Sequence, residues 1–196
     1  MTSPPAPKAA WRTQFRKYRR SLSPSAYRAR SSLIVHRALT VPDVAHGQVV
    51  HVYWPLPNRG EVDTRPLIGS LRERGADVVL PVVTSFDAET PTLEHRRYEG
   101  PTALASNRWG IQEPTGTQRV SPTALDLVLV PAVGADRRGH RLGHGSGYYD
   151  AFLQSVTCPR IALVYKACVV PSLPEAPHDV PMTTLVTEQA VIDTSS

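Results

Sequence analysis

The sequence predicts a single α/β domain with a mostly parallel, open β-sheet and helices on both faces. Short runs of consecutive apolar residues recur along the chain, and such runs are typical of strands buried on both sides. They alternate with segments whose apolar residues have helical spacing, which is the order of elements in a parallel sheet. No internal repeat and no linker divides residues 8–196, whereas the Pro-rich residues 1–7 are predicted to be a disordered tail.

The chain is predicted to begin with two helices. The first runs from about Lys8 to Arg20, and its apolar stripe has the spacing i, i+4, i+7 and i+11: Trp11, Phe15, Tyr18 and Leu22. Basic side chains lie beside that stripe: Lys8, Arg12, Arg16 and Arg19. Ser23 and Pro24 have the residue types of an N-cap and a first helical position, so a second helix is expected to end near Leu39.

Strand and helix alternate in the middle of the chain. Strands are predicted at three β-rich runs: Val49–Tyr53, Asp77–Val83 and Thr92–Tyr98, the last of them short and exposed. After the first run, a turn region at residues 55–60 precedes a helix from Thr64 to Arg74, with Gly75 as its C-cap. Pro81 and the polar residues that follow are expected to end the second strand.

The last third of the chain contains the remaining predicted strands and a glycine-rich loop. Strands are predicted at three apolar runs: Leu125–Val130, Ile161–Val164 and Leu185–Ile192. The loop follows the first of these runs, and a short helix is predicted from about Tyr148 to Gln154. Five glycines occur in this loop: Gly134, Gly139, Gly143, Gly145 and Gly147.

A glycine-rich loop at the carboxyl end of a buried strand is where open α/β sheets bind ligands. Without side chains, the backbone N–H groups of such a loop can approach phosphate oxygens closely, and the helix that follows adds partial positive charge. Arg141 and His144 could donate further hydrogen bonds, and the Asp150 carboxylate could hold Mg²⁺ beside the phosphates. The loop lacks the Lys-Ser/Thr end of a Walker A motif and the spacing of a Rossmann fingerprint. The pattern alone therefore leaves two interpretations, an anion site or a tight structural turn.

Several motifs in one order resemble a known family. RLGHGSGYYD at residues 141–150 resembles the RLGxGxGYYD motif of 5-formyltetrahydrofolate cyclo-ligases, also called methenyltetrahydrofolate synthetases. The preceding VPAVGADRRGHR resembles the VPGxxFDxxGxR of the same family. Further segments agree in order: KAAWR at 8–12, EVDT at 61–64, WGIQEP at 109–114, the LP and HD pairs at 173–174 and 178–179, and VTE at 186–188. The resemblance covers Lys8 to Ile192, with a longer Tyr53–Glu61 segment and a different sequence at residues 165–168.

The resemblance implies a role for each motif. Contacts to ATP are implied for Lys8, Arg12, Arg141, Leu142, Gly143, His144, Gly145, Ser146, Gly147, Tyr148 and Tyr149. Contacts to the folate are implied for Trp54, Glu61, Trp109, Tyr148 and Tyr149. Catalytic roles are implied for Arg141 and Tyr149, and Mg²⁺ ligation for Asp150 and Asp179.

Elementary chemistry allows another interpretation of several of these residues. Glu61 could accept paired hydrogen bonds from the N–H edge of a pterin, or it could be an acid at the start of the helix near Thr64. Trp109 could stack on a heteroaromatic ring or pack in the core. Lys8 and Arg12 suit compact phosphate contacts, but they would also suit a solvated helix face.

The reaction that the resemblance implies uses ATP and Mg²⁺. ATP phosphorylates the formyl oxygen of 5-formyltetrahydrofolate, and N10 then attacks the activated carbon. Loss of phosphate gives 5,10-methenyltetrahydrofolate, and ADP is the other product. In such a scheme the protein mainly positions the reactants and neutralises charge.

Charge is unevenly distributed along the chain. Before Asp43 there are nine basic and no acidic residues, whereas the formal net charge of the whole chain is +5. This asymmetry predicts an anionic partner, which could be a nucleic acid, a phosphate-bearing small molecule or an import receptor. An Arg-rich, acid-free start is also typical of a transit peptide, and a solvated basic face would need no partner.

Composition limits the class of protein. Hydrophobic residues make up 41% and charged residues 20%, which is typical of a soluble globular protein. No apolar run approaches the roughly 18 residues that span a bilayer. Cys158 and Cys168 fit no zinc or redox spacing and are interpreted as ordinary buried thiols. We therefore expect a cytoplasmic monomer without a membrane partner.

Three functions follow from these observations, and the resemblance favours the first. It is a ligase whose partners are 5-formyltetrahydrofolate and ATP, with no nucleic acid. The second is a nucleic-acid-binding module that uses the basic N-terminal helices, but this leaves the glycine loop and Glu61 unexplained. The third is a related α/β protein that binds a phosphorylated metabolite without ligase chemistry.

Overall fold

The fold contains five α-helices and twelve strands among residues 7–87 and 91–195, which the computed structural model describes. The helices are α1 (Lys8–Ser21), α2 (Pro24–Ala38), α3 (Pro42–His46), α4 (Arg65–Glu73) and α5 (Tyr148–Leu153). The strands are β1 (Val49–His51), β2 (Asp77–Ser85), β3 (Thr92–Arg97), β4 (Leu104–Ser106), β5 (Gln112–Pro114), β6 (Leu127–Pro131), β7 (Gly134–Asp136), β8 (Arg141–Leu142), β9 (Arg160–Leu163), β10 (Val169–Val170), β11 (Thr184–Val186) and β12 (Val191–Asp193). The predicted tail at residues 1–7 lies outside the described residues except for Pro7, whose carbonyl accepts from Ala10 N–H in α1.

Seven strands form the main sheet in the order β12-β11-β9-β6-β1-β2-β3. The five inner strands are parallel to one another, and each edge strand is antiparallel to the inner strand beside it. The predicted mostly parallel sheet is therefore confirmed. The chain order runs one way from β1 to β2 and the other way from β6 to β9, so adjacent strands β1 and β6 flank the switch point at which ligands bind in open α/β sheets.

Helices cover both faces of this sheet. His51 of β1 packs against Phe152 of α5, with ring centroids 4.9 Å apart. Its neighbour Val50 points to the opposite face and is equally buried. All four apolar residues of β6, residues 127–130, are fully buried, as expected of a central parallel strand.

Helices α1 and α2 are integral parts of the domain. Phe15 of α1 and Ile34 of α2 are fully buried in the core. The predicted N-cap of α2 is confirmed, because Ser23 Oγ accepts from Ala26 N–H at 3.2 Å and Pro24 is the first helical residue. The acid-free start is thus a packed segment from Lys8 onward, and a cleavable targeting peptide ending after α2 would remove part of the core.

Pro81 does not end β2, contrary to prediction. The strand continues to Ser85, and Pro81 lies opposite His95 of the edge strand β3. On the β1 side, the carbonyl of Val79 accepts from Val52 N–H, just past the last residue of β1. The backbone polar groups of alternate residues in a strand point to the same side. An N–H at position 81 would therefore point to the same side as the Val79 carbonyl, into the space past the end of β1, where it would have no strand partner.

Other element predictions need smaller corrections. The predicted strand Leu185–Ile192 is a hairpin of β11 and β12, because Thr187 Oγ1 accepts from Gln189 and Ala190 N–H and turns the chain. The strand at Thr92 pairs with β2 and buries His95, so it is not simply exposed.

Gly75 has φ +87° just after α4, as its predicted capping role requires. Both cysteines are free; Cys168 is buried and Cys158 is half-buried.

Gly134 fixes the distance between α1 and the small sheet β10-β7-β8. A Cβ atom at Gly134 would lie 2.3 Å from two ring carbons of Phe15 and 2.9 Å from the carbonyl oxygen of Cys168. We expect Gly134→Ala to lower the free energy of unfolding by about 1–3 kcal/mol, because the buried ring must move. Urea denaturation measures this loss.

Gly69→Ala is the matched control for that experiment. Gly69 is exposed in the middle of α4, and a Cβ there would have no atom within 4 Å. Alanine should stabilise the helix by about 0.5–1 kcal/mol at such a position. Equal stabilities of the two variants would show that the contact between α1 and β7 is not tight.

No helix within residues 7–87 and 91–195 is both long and apolar enough to cross a membrane.

Candidate active site

A cavity of about 400 Å³ lies at the carboxyl ends of β1, β2 and β6. Trp54 follows β1, Val83 belongs to β2 and Pro131 ends β6, and all three line the cavity. The opposite wall is the loop that connects β8 to α5, residues 143–147, which we call the glycine loop. The cavity therefore occupies the switch point between β1 and β6.

The glycine loop is held by a β-hairpin. Strands β7 and β8 pair antiparallel, and the turn between them includes Gly139 with φ +88°. The fully buried carboxylate of Asp136 accepts from the N–H groups of Arg138, His140 and Leu173, which fixes this turn. The predicted ligand loop is consequently shorter than the five glycines suggest: Gly134 lies in a strand and Gly139 in a turn packed on the carbonyl of Met182.

Two glycines in the loop have backbones that other residues rarely adopt. Gly145 has φ +102° and Gly147 has φ +76°. Both values lie in the left-handed region that glycine adopts readily because it has no Cβ atom. Gly147 also caps α5, since its carbonyl accepts from Ala151 N–H at 2.9 Å.

Three arginines on one face of α1 hold the segments that line the cavity. Arg12 Nε donates to the carbonyl of Gly143 at 3.0 Å, and Arg16 Nη2 donates to that of His144 at 2.9 Å. Arg19 Nε, buried, donates to the carbonyl of Gly60 at 2.8 Å. These contacts use carbonyl oxygens, and the three arginines form no ion pair with a carboxylate of the described residues. Burial and the neighbouring charges of Arg12 and Arg59 lower the pKa of Arg16.

Glu61 lines the cavity and is almost completely buried. Its Oε2 accepts from Leu56 N–H at 2.9 Å. Its Oε1 is 2.8 Å from His144 Nε2, so the carboxylate joins the segment after β1 to the glycine loop. The side chain is therefore in the cavity wall, as the resemblance implies, and is not simply an acid at the start of α4.

Arg141 and Asp150 form an ion pair at the inner end of the cavity. Arg141 Nη2 lies 2.6 Å from Asp150 Oδ1, and the Arg141 side chain is only 4% exposed. Burial lowers the pKa of Arg141, and the Asp150 carboxylate opposes that shift. The guanidinium carbon is 5.6 Å from the centre of the Tyr149 ring, and burial raises the pKa of Tyr149 strongly. Arg141 Nε and the Tyr149 hydroxyl are buried without a hydrogen-bond partner among the described residues.

Aromatic side chains form the rim of the cavity. Trp109 is 42% exposed and makes edge contacts with Phe86 at 4.6 Å and Tyr148 at 6.0 Å between ring centroids. The Arg108 guanidinium lies 3.8 Å from the centre of the Phe86 ring. The Tyr148 hydroxyl donates to the carbonyl of Ser85 at 2.8 Å. Trp109 is consequently available to a ligand and is not a core residue.

The structure does not assemble the two predicted metal ligands into one cluster. Asp179 does not line the cavity, because it pairs with Lys8 Nζ at 2.5 Å and accepts from Ala176 N–H. Partial burial opposes ionisation of Asp179, but these hydrogen bonds prevail and lower its pKa. Asp150 does line the cavity, although it already pairs with Arg141. Within residues 7–87 and 91–195 no three His, Cys, Asp or Glu side chains form a metal-binding group.

Most of the other predicted site residues meet in this cavity. The predicted residues that line it are Trp54, Glu61, Trp109, Arg141, Gly143, His144, Gly145, Ser146, Gly147, Tyr148, Tyr149 and Asp150. Leu142 is 1% exposed and packs in the core, since its side chain points away from the cavity on the short strand β8. Lys8 and Arg12 lie behind the loop wall, where they contact Asp179 and Gly143.

Sequence reasoning missed three residues at or near the cavity: Arg16, Arg59 and Glu113. Arg59 lines the cavity from a 3-10 turn at Pro57–Arg59, which is where the chain has its longer segment. Glu113 accepts from Val83 N–H and from Asn107, and so holds the segment that carries Trp109. The helical spacing of Arg12 and Arg16 could have predicted that Arg16 lies near the site. The role of Glu113 could not be predicted in this way, because it depends on a hydrogen bond from Val83, 30 residues earlier. Tyr165 belongs to residues 165–168, the other segment that differs from the family motifs. It is buried against Tyr18 and does not line the cavity.

Comparisons with known proteins agree with this geometry. Residues 5–188 match the model of the 5-formyltetrahydrofolate cyclo-ligase family. The chain is 35% identical over 182 residues to the 5-formyltetrahydrofolate cyclo-ligase of Escherichia coli K12, covering 90% of this chain and 97% of the relative. It is 34% identical over 188 residues to that of Mycolicibacterium smegmatis, covering 93% and 94%.

A solved structure shows the same fold. The 5,10-methenyltetrahydrofolate synthetase of Aquifex aeolicus superposes with a TM-score of 0.85 at 30% identity, covering 96% of this chain and 93% of the other. The similarity thus extends over both walls of the cavity and the sheet between them. Because the family match includes nearly all of its residues, the chain belongs to the 5-formyltetrahydrofolate cyclo-ligase family.

Proposed function

We propose that the protein catalyses the ATP-dependent cyclisation of 5-formyltetrahydrofolate to 5,10-methenyltetrahydrofolate, with release of ADP and phosphate. One observation carries this proposal beyond family membership. A single cavity is lined by a glycine loop suited to phosphates, by the buried carboxylate of Glu61 and by aromatic rings that include the exposed Trp109. An enzyme that transfers a phosphoryl group to a folate needs groups for both substrates within one site.

The chemistry requires activation of a poor leaving group. The formyl oxygen attacks the γ-phosphorus of ATP, the bond to the β-phosphate bridging oxygen breaks, and ADP leaves. N10 then attacks the formyl carbon, N10 loses its proton, and the C–O bond breaks to release phosphate. The protein contributes orientation and charge stabilisation to these steps, with no covalent enzyme intermediate.

The two substrates divide the cavity between them. On the nucleotide side, the N–H groups of the glycine loop and the guanidinium of Arg141 would bind the phosphates. The neighbouring positive charges of Arg12, Arg16 and Arg59 would raise the local positive potential. On the folate side, Glu61 would accept from the N–H edge of the pterin, and Trp54 and Trp109 would contact the rings. Tyr149, between Arg141 and the interior, would position the reacting groups.

Magnesium would enter with ATP and have Asp150 as its protein carboxylate. Mg²⁺ is commonly held by one or two carboxylates, water and substrate phosphates, so a single aspartate in the cavity wall fits this mode. When bound, it would neutralise charge on the transferred phosphoryl group. Asp179 does not fit, since it serves as the partner of Lys8 behind the loop.

Two alternative functions are weaker. A nucleic-acid-binding module needs an open basic face, but three arginines of α1 already donate to carbonyls of the cavity wall. A protein that binds a phosphorylated metabolite without ligase chemistry would not need a buried carboxylate in the same cavity as the glycine loop. The second of them is an outcome of the experiment below.

The test is an assay with purified protein, ATP, Mg²⁺ and 5-formyltetrahydrofolate. We expect the absorbance of the methenyl product to rise in step with the release of ADP. Omitting ATP, or replacing it with an analogue that cannot transfer its γ-phosphate, should leave the folate unchanged. ATP hydrolysis without methenyl product would support the non-ligase alternative. The absence of both ATP hydrolysis and methenyl product would refute the proposal.

Replacing Lys8 or Arg12 with alanine should weaken ATP use more than folate use. Arg12→Ala removes the contact to the Gly143 carbonyl of the glycine loop, and Lys8→Ala removes the ion pair with Asp179. A charge-assisted contact of this kind is worth about 1.5–3 kcal/mol. We expect the KM for ATP to rise at least about tenfold, while the KM for the folate changes less than about twofold. Lys17→Ala, an exposed position on the same helix, is the control. Unchanged KM values for ATP in both variants would mean that α1 has only a structural role.

A further inference from the structure

We propose that His144, although it belongs to the glycine loop, is a positioning residue for Glu61 and serves the folate half of the site. This inference rests on the proposed function. It starts from the contact between His144 Nε2 and Glu61 Oε1, 2.8 Å apart and joining segments 83 residues apart in sequence. His144 thereby links the wall that would bind phosphates to the residue that would bind the pterin.

The contact fixes a carboxylate that still has bonding capacity. A carboxylate has about four lone-pair directions. In Glu61 one is used by Leu56 N–H and one by His144, and the other two have no hydrogen-bond donor among residues 7–87 and 91–195. Because each oxygen has one fixed donor, the carboxylate plane cannot rotate freely. A ligand with two adjacent N–H groups would then meet acceptors that are already oriented.

The same contact leaves His144 poorly suited to bind phosphate. The partner of Nε2 is a carboxylate, which only accepts, so Nε2 must carry the hydrogen. The Nε2–H group is thus engaged by Glu61 and is not free to donate to a phosphate oxygen. The backbone N–H groups of the glycine loop do not have this conflict. Phosphates would therefore use the loop backbone, and the His144 side chain would stay with Glu61.

Both ends of the contact are held by the same face of α1. Arg16 donates to the carbonyl of His144 itself, and Arg12 to that of Gly143. Arg19 donates to the carbonyl of Gly60, the residue before Glu61. The three arginines are spaced by four and three residues, so they lie on one side of the helix. The bridge is thus part of a supported arrangement and not a chance contact of a mobile side chain.

The experiment measures direct binding of 5-formyltetrahydrofolate and of Mg-ATP, each alone, to the wild type and to His144 variants. We expect His144→Ala to raise the Kd for the folate about tenfold and to change the Kd for Mg-ATP less than about twofold. His144→Gln places an amide N–H near the position of Nε2, so it should restore folate affinity to within about threefold. His36→Ala removes an exposed histidine of α2 and should change neither Kd.

A double-variant cycle separates positioning from general disturbance of the loop. If His144 acts through Glu61, then His144→Ala should have little further effect on folate affinity in a Glu61→Gln background. Additive effects of the two changes would overturn the inference. A loss of Mg-ATP affinity equal to or larger than the loss of folate affinity would also overturn it, since that result identifies a phosphate contact or a distorted loop.

The same measurements keep the two proposals apart. If the wild type binds the folate but forms no methenyl product, the proposed function is wrong, and the binding data on His144 still decide the inference. If the wild type forms product but His144→Ala binds folate normally, only the inference is wrong. If the wild type binds no folate, both are wrong.

Discussion

Replacing Arg141 with methionine is expected to lower kcat by about 10²–10³-fold, the usual cost of removing a preorganised charge from a transition state. Arg141 is the most deeply buried cation of the cavity wall, and Asp150 is its ion-pair partner. Its charge therefore acts in a medium of low dielectric constant, where it stabilises a developing negative charge strongly. Methionine preserves most of the side-chain length, so β8 should keep its packing.

The measurement is steady-state kcat together with thermal stability and folate affinity. Arg141→Lys should not restore kcat, because an ammonium group cannot pair with Asp150 and a phosphate through the planar fork that a guanidinium offers. Arg28→Met, an exposed arginine of α2, is the control for loss of one positive charge. If the methionine variant keeps more than about a tenth of the wild-type kcat, Arg141 does not have the catalytic role expected of it.

Replacing Gly145 with valine is expected to abolish the stabilisation of the protein by Mg-ATP. Gly145 has φ +102°, which a β-branched residue rarely adopts, and its Cβ would lie 3.5 Å from the guanidinium carbon of Arg12. A ligand that binds only the native state stabilises it by about 2.7 kcal/mol at a hundred times its Kd. The wild type should show a gain of this order, and the variant should show none.

The comparison requires apo proteins of similar stability. Gly145 is exposed in a surface loop, so the sheet should fold normally in the variant. Gly75→Val is the matched control, because Gly75 also has positive φ, +87°, but lies at the end of α4 with no atom near its Cβ. That variant should lose apo stability and keep the gain from Mg-ATP. An undiminished gain in Gly145→Val would place the phosphates elsewhere.

Local signals in the sequence predicted much of the fold. Ser23 and Pro24 mark the start of α2, and Gly75 marks the end of α4, because capping depends on neighbours only a few residues away. Pro81 was misjudged for the opposite reason. Whether a proline breaks a strand depends on which neighbour its missing N–H would face, and that neighbour, β1, lies about thirty residues earlier.

In the candidate site, too, local motifs were predicted and contacts between distant segments were not. The glycine loop and Glu61 were placed on the cavity wall from motifs, but their contact through His144 was not foreseen. The side chains of Lys8 and Asp179 were assigned to ATP and to metal, whereas the structure pairs them with each other. Residue type and motif order indicate which groups belong to a site. They do not show which of those groups neutralise one another, since that depends on distances between segments far apart in the chain.

The contacts of α1 also have a consequence for the order of folding. Lys8 pairs with a residue 171 positions later, and Arg12 and Arg16 hold carbonyls 131 and 128 positions later. Closing such long loops is entropically unfavourable until the intervening chain is compact. During synthesis, α1 must therefore wait for the segments around Gly143 and Asp179 before its basic face finds its partners. A nascent chain could assemble β1, β2 and β6 and still have no finished cavity, so the capacity to bind ligands should be among the last properties that the folding protein acquires.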